Sequence, residues 1–167
     1  ITNGGANAAI LVNNNAEGGS IKNCHIANSK IDVSYKYNSG TCVNNVAGIA
    51  AVNYGNISYC SITNSELKGY AQGGDNHYNV ELYMGGVAAR NYTGGIIDNT
   101  TSYDNTVFGK IYHNGTLTNE SWAYFRLGGF MGQLDAGELI NCKYSNPQPT
   151  RDRTWYNHWG YDDGEKS

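Results

Sequence analysis

The chain has 167 residues, a formal net charge of −3 and 11 lysines plus arginines, enough for one domain but without a basic face for nucleic acid or an anionic membrane. Charged residues make up 15%, and no stretch approaches the ~20 apolar residues of a spanning helix, so no membrane span is expected in this chain. Polarity comes instead from 23 Asn, 22 Gly and 14 Tyr, which points to short strands and tight corners.

The elements recur along the chain. The first copy, near residues 8–33, runs from "AAILVNNNAEGG" into "IKNCHIANSKI". The second, near 46–69, runs from "AGIAAVNYG" into "ISYCSITNSEL". The third, near 85–109, runs from "GGVAARNYTGG" into "IDNTTSYDNTV", and the fourth, near 128–146, from "GGFMGQLDAG" into "LINCKYSN". The aligned positions Cys24, Cys60, Thr100 and Cys142 fall 36, 40 and 42 residues apart. Self-similarity at such a period marks a repeat architecture.

Each column of the alignment has a physical reading. Ile21, Ile57, Ile97 and Leu139 are branched aliphatics, as an inward position requires. Asn23, Tyr59, Asn99 and Asn141 follow as a corner, then the cysteine column, then Ile26, Ile62, Ser102 and Tyr144 on the same strand face. A second corner is expected at Asn28, Asn64, Asp104 and Asn146, leading to a strand with Ile31, Leu67 and Val107. Strand, corner, strand, corner, strand is one coil of a solenoid. The expected fold is all-β: a right-handed parallel β-solenoid (β-helix) of about four irregular coils with long loops. A β-sandwich is the ordinary alternative, but it gives no reason for aligned columns. Residues 1–150 form the repeat domain in this reading, and residues 151–167 a separate cap or docking tail.

The pattern resembles the GLUG-type repeat of bacterial surface proteins. The resemblance rests on a Gly-Gly-apolar opening, an Asn or Gly turn, then Gly-x-Ile-x-Asn-Cys and a trailing Asn or Thr with Val and Gly. It is clearest in residues 85–109 and in the second copy, and it covers roughly 100 residues. It implies a secreted or surface-anchored protein with a structural, display or adhesive role, and it implies no reaction.

Cys24, Cys60 and Cys142 share a slot with Thr100, which suits small core filling, although some disulfide remains open, with Cys42, off the ladder, as its first participant. No Cys-x-x-Cys or HExxH motif is present, so neither metal nor cofactor is expected. Asp98, Asp104 and Glu138 are scattered rather than paired for acid–base work, and the chain is read as no enzyme, with a polysaccharide-cleaving β-helix as the least favoured reading. His25, His77, His113 and His158 are dispersed. Candidate glycosylation sites are Asn56, Asn91, Asn99, Asn114 and Asn119. Five exceeds only slightly the roughly three sequons that chance supplies at this composition.

The tail concentrates Trp155, Tyr156, Trp159 and Tyr161, which could cap the solenoid, dock a neighbour or stack on sugars. The expectation is therefore an extracellular or cell-surface structural and adhesive protein. It presents loops, and its partners are further copies of itself, stacked end to end into a filament, or cell-surface glycans. A carbohydrate-binding module is the alternative.

Overall fold

The computed structural model describes residues 6–36, 41–73, 80–114 and 123–156. No helix occurs among them, so none is long and apolar enough to cross a membrane. The first layer comprises β1 (Ala6–Ala9), β2 (Val12–Asn15), β3 (Ser20–Lys22), β4 (His25–Ala27) and β5 (Lys30–Lys36). Above it lie β6 (Cys42–Ala47), β7 (Ala50–Asn53), β8 (Asn56–Ser58), β9 (Ser61–Thr63) and β10 (Glu66–Gly73). Then come β11 (Val80–Gly85), β12 (Ala88–Asn91), β13 (Ile96–Asp98), β14 (Thr101–Tyr103) and β15 (Thr106–Asn114). The last strands are β16 (Ala123–Gly128), β17 (Met131–Leu134), β18 (Glu138–Ile140), β19 (Lys143–Ser145) and β20 (Thr150–Tyr156).

Every strand pairs in parallel with its equivalent one turn away, giving five four-stranded sheets. The molecule is a parallel β-solenoid that makes three full turns from β1 to β16. From there β17–β20 continue along the edges of the other four sheets. The sequence columns are the register itself: Ile21 pairs with Ile57, Ile57 with Ile97 and Ile97 with Leu139. Ile26, Ile62, Ser102 and Tyr144 pair likewise. Three strands per coil were legible in the repeat; the structure has five, because each small-residue run holds one more and a further strand, β1, β6, β11 or β16, lies largely ahead of it.

Left-handed backbone makes the corners. Asn23, Tyr59, Asn99 and Asn141 have φ between +45° and +55°, and Asn28, Asn64 and Asp104 between +47° and +54°. Asn tolerates that region because its short amide can bond locally. Asn146 departs from the expected corner. Pro147 follows it and disfavours helical backbone there. Its Oδ1 instead accepts the N–H of Asn105 at 2.8 Å. Asn146 thus fills the side-chain place of Asn105 rather than the corner of Asp104.

At the Gly-Gly corner stacked layers approach so closely that a Cβ on Gly86 would overlap the carbonyl of Gly129 one turn away. Inward side chains such as Ile57, Ile62, Leu82, Met84, Ile97 and Ile111 fill one continuous core. Each stabilises the fold by about 1.5–3 kcal/mol through burial. Strand β20 pairs with β15 from Thr150 onward, so the solenoid runs on through residues that the sequence reading assigned to a separate tail. Of the aromatic cap, Trp155 and Tyr156 end β20, while Trp159 and Tyr161 lie outside the described residues.

Candidate functional site: the open end of the solenoid

Three side-chain ladders run along the stack. In the first, each residue after the first Asn corner caps its own turn. Cys60 Sγ donates to Ser58 O (3.3 Å), Thr100 Oγ1 to Asp98 O (3.0 Å) and Cys142 Sγ to Ile140 O (3.4 Å). Each also takes an N–H from the layer before it: Cys24 N–H donates to Cys60 Sγ (3.5 Å), and Cys60 N–H to Thr100 Oγ1 (3.3 Å). Threonine substitutes here because the slot wants a small group that both donates and accepts. After the second corner Ser29 and Ser65 cap their own turns through Ala27 O and Thr63 O, and the layers are joined as Ser29 N–H donates to Ser65 Oγ and Ser65 N–H to Asn105 Oδ1.

Burial pushes the thiols of Cys60 and Cys142 up, so they stay neutral and weakly nucleophilic. Cys42, the first participant expected in any disulfide, is wholly buried on β6, with its thiol pushed up to about 12 by the same cause. The four cysteines form no disulfide.

The third ladder was not legible. Asn15 Nδ2 donates to Asn53 Oδ1, and Asn53 Nδ2 to Asn91 Oδ1, each at 2.7 Å inside the core. Beside it Gly19, Gly55, Gly95 and Gly137 share a column; a Cβ on Gly95 would overlap Asn91 Oδ1 and sit 2.7 Å from Asn53 O. The ladder overturns one glycosylation candidate. Asn91 is fully buried with both amide atoms bonded, Nδ2 donating to Gly95 O, and leaves no room for a sugar. Asn56 is exposed, and Asn99 is half-buried with Nδ2 on Asp98. Asn114 ends β15, and Asn119 lies outside the described residues.

The acids stay apart. Asp98 ends β13, Asp104 is a corner and Glu138 starts β18. Among the described residues no group of three His, Cys, Asp or Glu side chains could hold a metal. His25 is exposed, with Nδ1 2.8 Å from Ser61 Oγ; His113 lies in β15, and His77 and His158 fall outside the described residues.

On the outer wall Arg90 pairs with Asp135 through Nε (2.9 Å) and Nη2 (2.8 Å). Its guanidinium lies 4.5 Å from the ring centres of both Tyr83 and Tyr92. Tyr92 in turn stacks on Tyr54 at 4.7 Å. With Arg90 over Tyr92 and Tyr54 stacked beside it, this cluster seals a second small packing of Ala47, Tyr83 and Ala89 rather than offering an open platform.

Neither end face has a covering strand layer among the described residues, and the C-terminal one is concave. There Leu127, Phe130, Met131, Leu139, Cys142 and Tyr144 line a pit of about 560 Å³. Phe130 and Tyr144 form its aromatic wall, ring centres 6.2 Å apart. Tyr144 is 69% and Leu139 42% exposed, although their columns are closed in the layers below. The edges of β16–β20 carry no further strand among the described residues. A parallel edge beside an apolar pit can accept another strand layer.

No protein-family model, curated protein or solved structure matches the chain. The fold and this end face therefore carry the functional argument.

Proposed function

We propose that the chain is a structural and adhesive module of an extracellular or cell-surface protein, akin to GLUG-type repeat proteins. It is a rigid solenoid that displays variable connections on one corner and stacks end to end through its faces. One observation carries the display reading. The connections from β5 to β6, β10 to β11 and β15 to β16 leave stacked strand ends and rejoin stacked strand starts, so all three issue from one corner. They span residues 37–41, 74–79 and 115–122, and they lengthen along the chain while the Asn corners stay constant. Insertions gathered on one face of a repeat stack are where such scaffolds place their contacts. Asn114, the first residue of one sequon, ends β15 at that corner.

The test replaces residues 74–79 and 115–122 with short Asn-Gly connections. The variant should melt within a few degrees of the parent and bind immobilised glycans or intact cells at least tenfold more weakly. Undiminished binding by the loop-replaced protein would remove the display reading.

A further inference from the structure

We infer that the free face of Tyr54, beside Ala16 on the outer wall, is a docking site for an arginine guanidinium presented by a partner protein, with Glu17 as its counter-ion. The site lies where β7 turns into β8, and it depends neither on the displayed connections nor on end-to-end stacking.

One column builds it. Tyr54 N–H donates to Asn15 O, Tyr92 N–H to Asn53 O and Asp135 N–H to Asn91 O, so Ala16, Tyr54, Tyr92 and Asp135 stand above one another. The rings of Tyr54 and Tyr92 are stacked, 4.7 Å between centres and 8° between planes. One end of this pair is closed. The Arg90 guanidinium lies 4.5 Å from the Tyr92 ring centre and is held there by the Asp135 carboxylate. At the other end the next residue is Ala16, and its methyl leaves a slot against Tyr54 that is one strand spacing thick, about 4.8 Å. Ala16, Glu17 and Gly18 are exposed, Tyr54 is 36% exposed, and nothing lies within 4 Å of the Cβ position of Gly18. A turn placed ahead of β1 would stack on Ala16, one spacing further from Tyr54, and would leave the lateral mouth of the slot open.

The molecule itself shows what such a ring face takes. Arg90, paired with a carboxylate, covers Tyr92. Tyr59, just past the other end of β8, has Lys22 Nζ of the first layer 5.5 Å from its ring centre. Tyr54 has no cation over it among the described residues. The electron-rich face of a tyrosine attracts a cation. Glu17 follows Ala16 in the exposed turn and makes no ion pair among the described residues. The order carboxylate, guanidinium, tyrosine at the Tyr92 end is thus matched at the Tyr54 end by Glu17 and Tyr54 with the cation missing. A guanidinium suits the slot better than an ammonium does. It is flat enough to stack on a ring, and its edge N–H groups still pair with a carboxylate.

The experiment titrates the full chain with Nα-acetyl-arginine amide, which stands for an arginine within a chain. The ring resonances of Tyr54 and the amide of Gly18 are followed by NMR. Both should shift and saturate, with a midpoint on the order of tens of millimolar, the strength of one exposed cation–π contact joined to one surface ion pair. The neutral citrulline analogue should shift neither, and the lysine analogue should bind more weakly. Ala16→Phe fills the slot with a ring at an exposed position and should abolish the shifts, while Glu17→Gln should weaken binding about twofold to fivefold. The protein with residues 74–79 and 115–122 replaced should respond as the parent does, which separates this site from the displayed connections. No shift with arginine, or shifts that survive Ala16→Phe, overturns the site. Equal shifts with citrulline, equal binding of lysine, or tighter binding of methyl glucoside at the same resonances overturns the guanidinium as its occupant.

Discussion

The middle layers and the last layer use the same columns and live in different surroundings. Ile57 and Ile97 are completely buried, whereas Leu139, next in their column, is 42% exposed. A middle layer is covered on two sides and the last layer on one. The lesson is that a side chain's worth in this molecule is set by its place along the stack more than by its type. Stability in such a one-dimensional array is a sum of layers and of junctions between them.

The sharpest break should come at the glycine column. Gly95→Val in a middle layer puts a branched side chain against Asn91 and Asn53 and should leave little folded protein by circular dichroism. Gly18, beside that column but not in it, has nothing within 4 Å of its Cβ position and needs only its φ of +72°. Gly18→Ala should therefore cost about 1–2 kcal/mol and still fold. Next in size is the aliphatic column. Ile97→Ala should lose about 2–5 kcal/mol in urea titration and Leu139→Ala less than about 1.5 kcal/mol. Equal losses would contradict the account of the layers.

The Asn ladder gives a third contrast. Asn53→Leu takes the acceptor from one N–H of Asn15 and the donors from Asn91 Oδ1 and Gly55 O in the core, at about 2–3 kcal/mol. Leu134→Asn at the open end should cost nothing measurable, since that position is 49% exposed. A chemical melt of the two variants side by side decides it.

Much of this was legible because identical slots repeat. The aliphatic column placed Ile21 inward, period-two spacing placed Cys24 and Ile26 on one strand face, and Asn at fixed offsets marked the corners. Tyr59 was read as a corner from its column alone, since nothing about tyrosine favours left-handed backbone. The buried Asn15–Asn53–Asn91 ladder was hidden in runs such as "VNNN", where neighbouring asparagines look alike and only burial separates them. The Arg90–Asp135 pair joins residues 45 apart through two layers, with no local pattern to announce it. Asn146 was misplaced because the effect of Pro147 outweighs the column. The pit was not legible, because it is made by the absence of a strand layer above it among the described residues rather than by a motif.

Titration contrasts the core with the surface more gently. Burial holds the Cys42 thiol up at about 12 against an ordinary 9.0, and the Tyr35 hydroxyl at about 12 against 10.0. Both are neutral in the fold. The unfolded chain sheds these protons first, so their contribution is fully present below about pH 9 and is lost as pH rises toward 12. Stability should fall by on the order of 1 kcal/mol between pH 9 and 10 from Cys42 alone. Cys42→Val should flatten that limb of a urea-midpoint profile against pH. An unchanged slope would mean that Cys42 ionises as readily in the fold as out of it.

The smallest expected effect sharpens the corner column. Asn23, Asn99 and Asn141 hold left-handed backbone with a residue suited to it, while Tyr59 holds φ +55° with one that is not. Its ring is half exposed, with Lys22 Nζ 5.5 Å from the ring centre as its cation contact. An exposed cation–π contact is worth about 0.5–1 kcal/mol, and left-handed backbone costs a non-glycine residue about 1–2 kcal/mol, less for Asn. The backbone term is the larger, so Tyr59→Asn should stabilise the protein by up to about 1 kcal/mol, seen as a higher urea midpoint with an unchanged slope. A lower midpoint would show that the Lys22 contact, rather than the corner, decides the residue at this position.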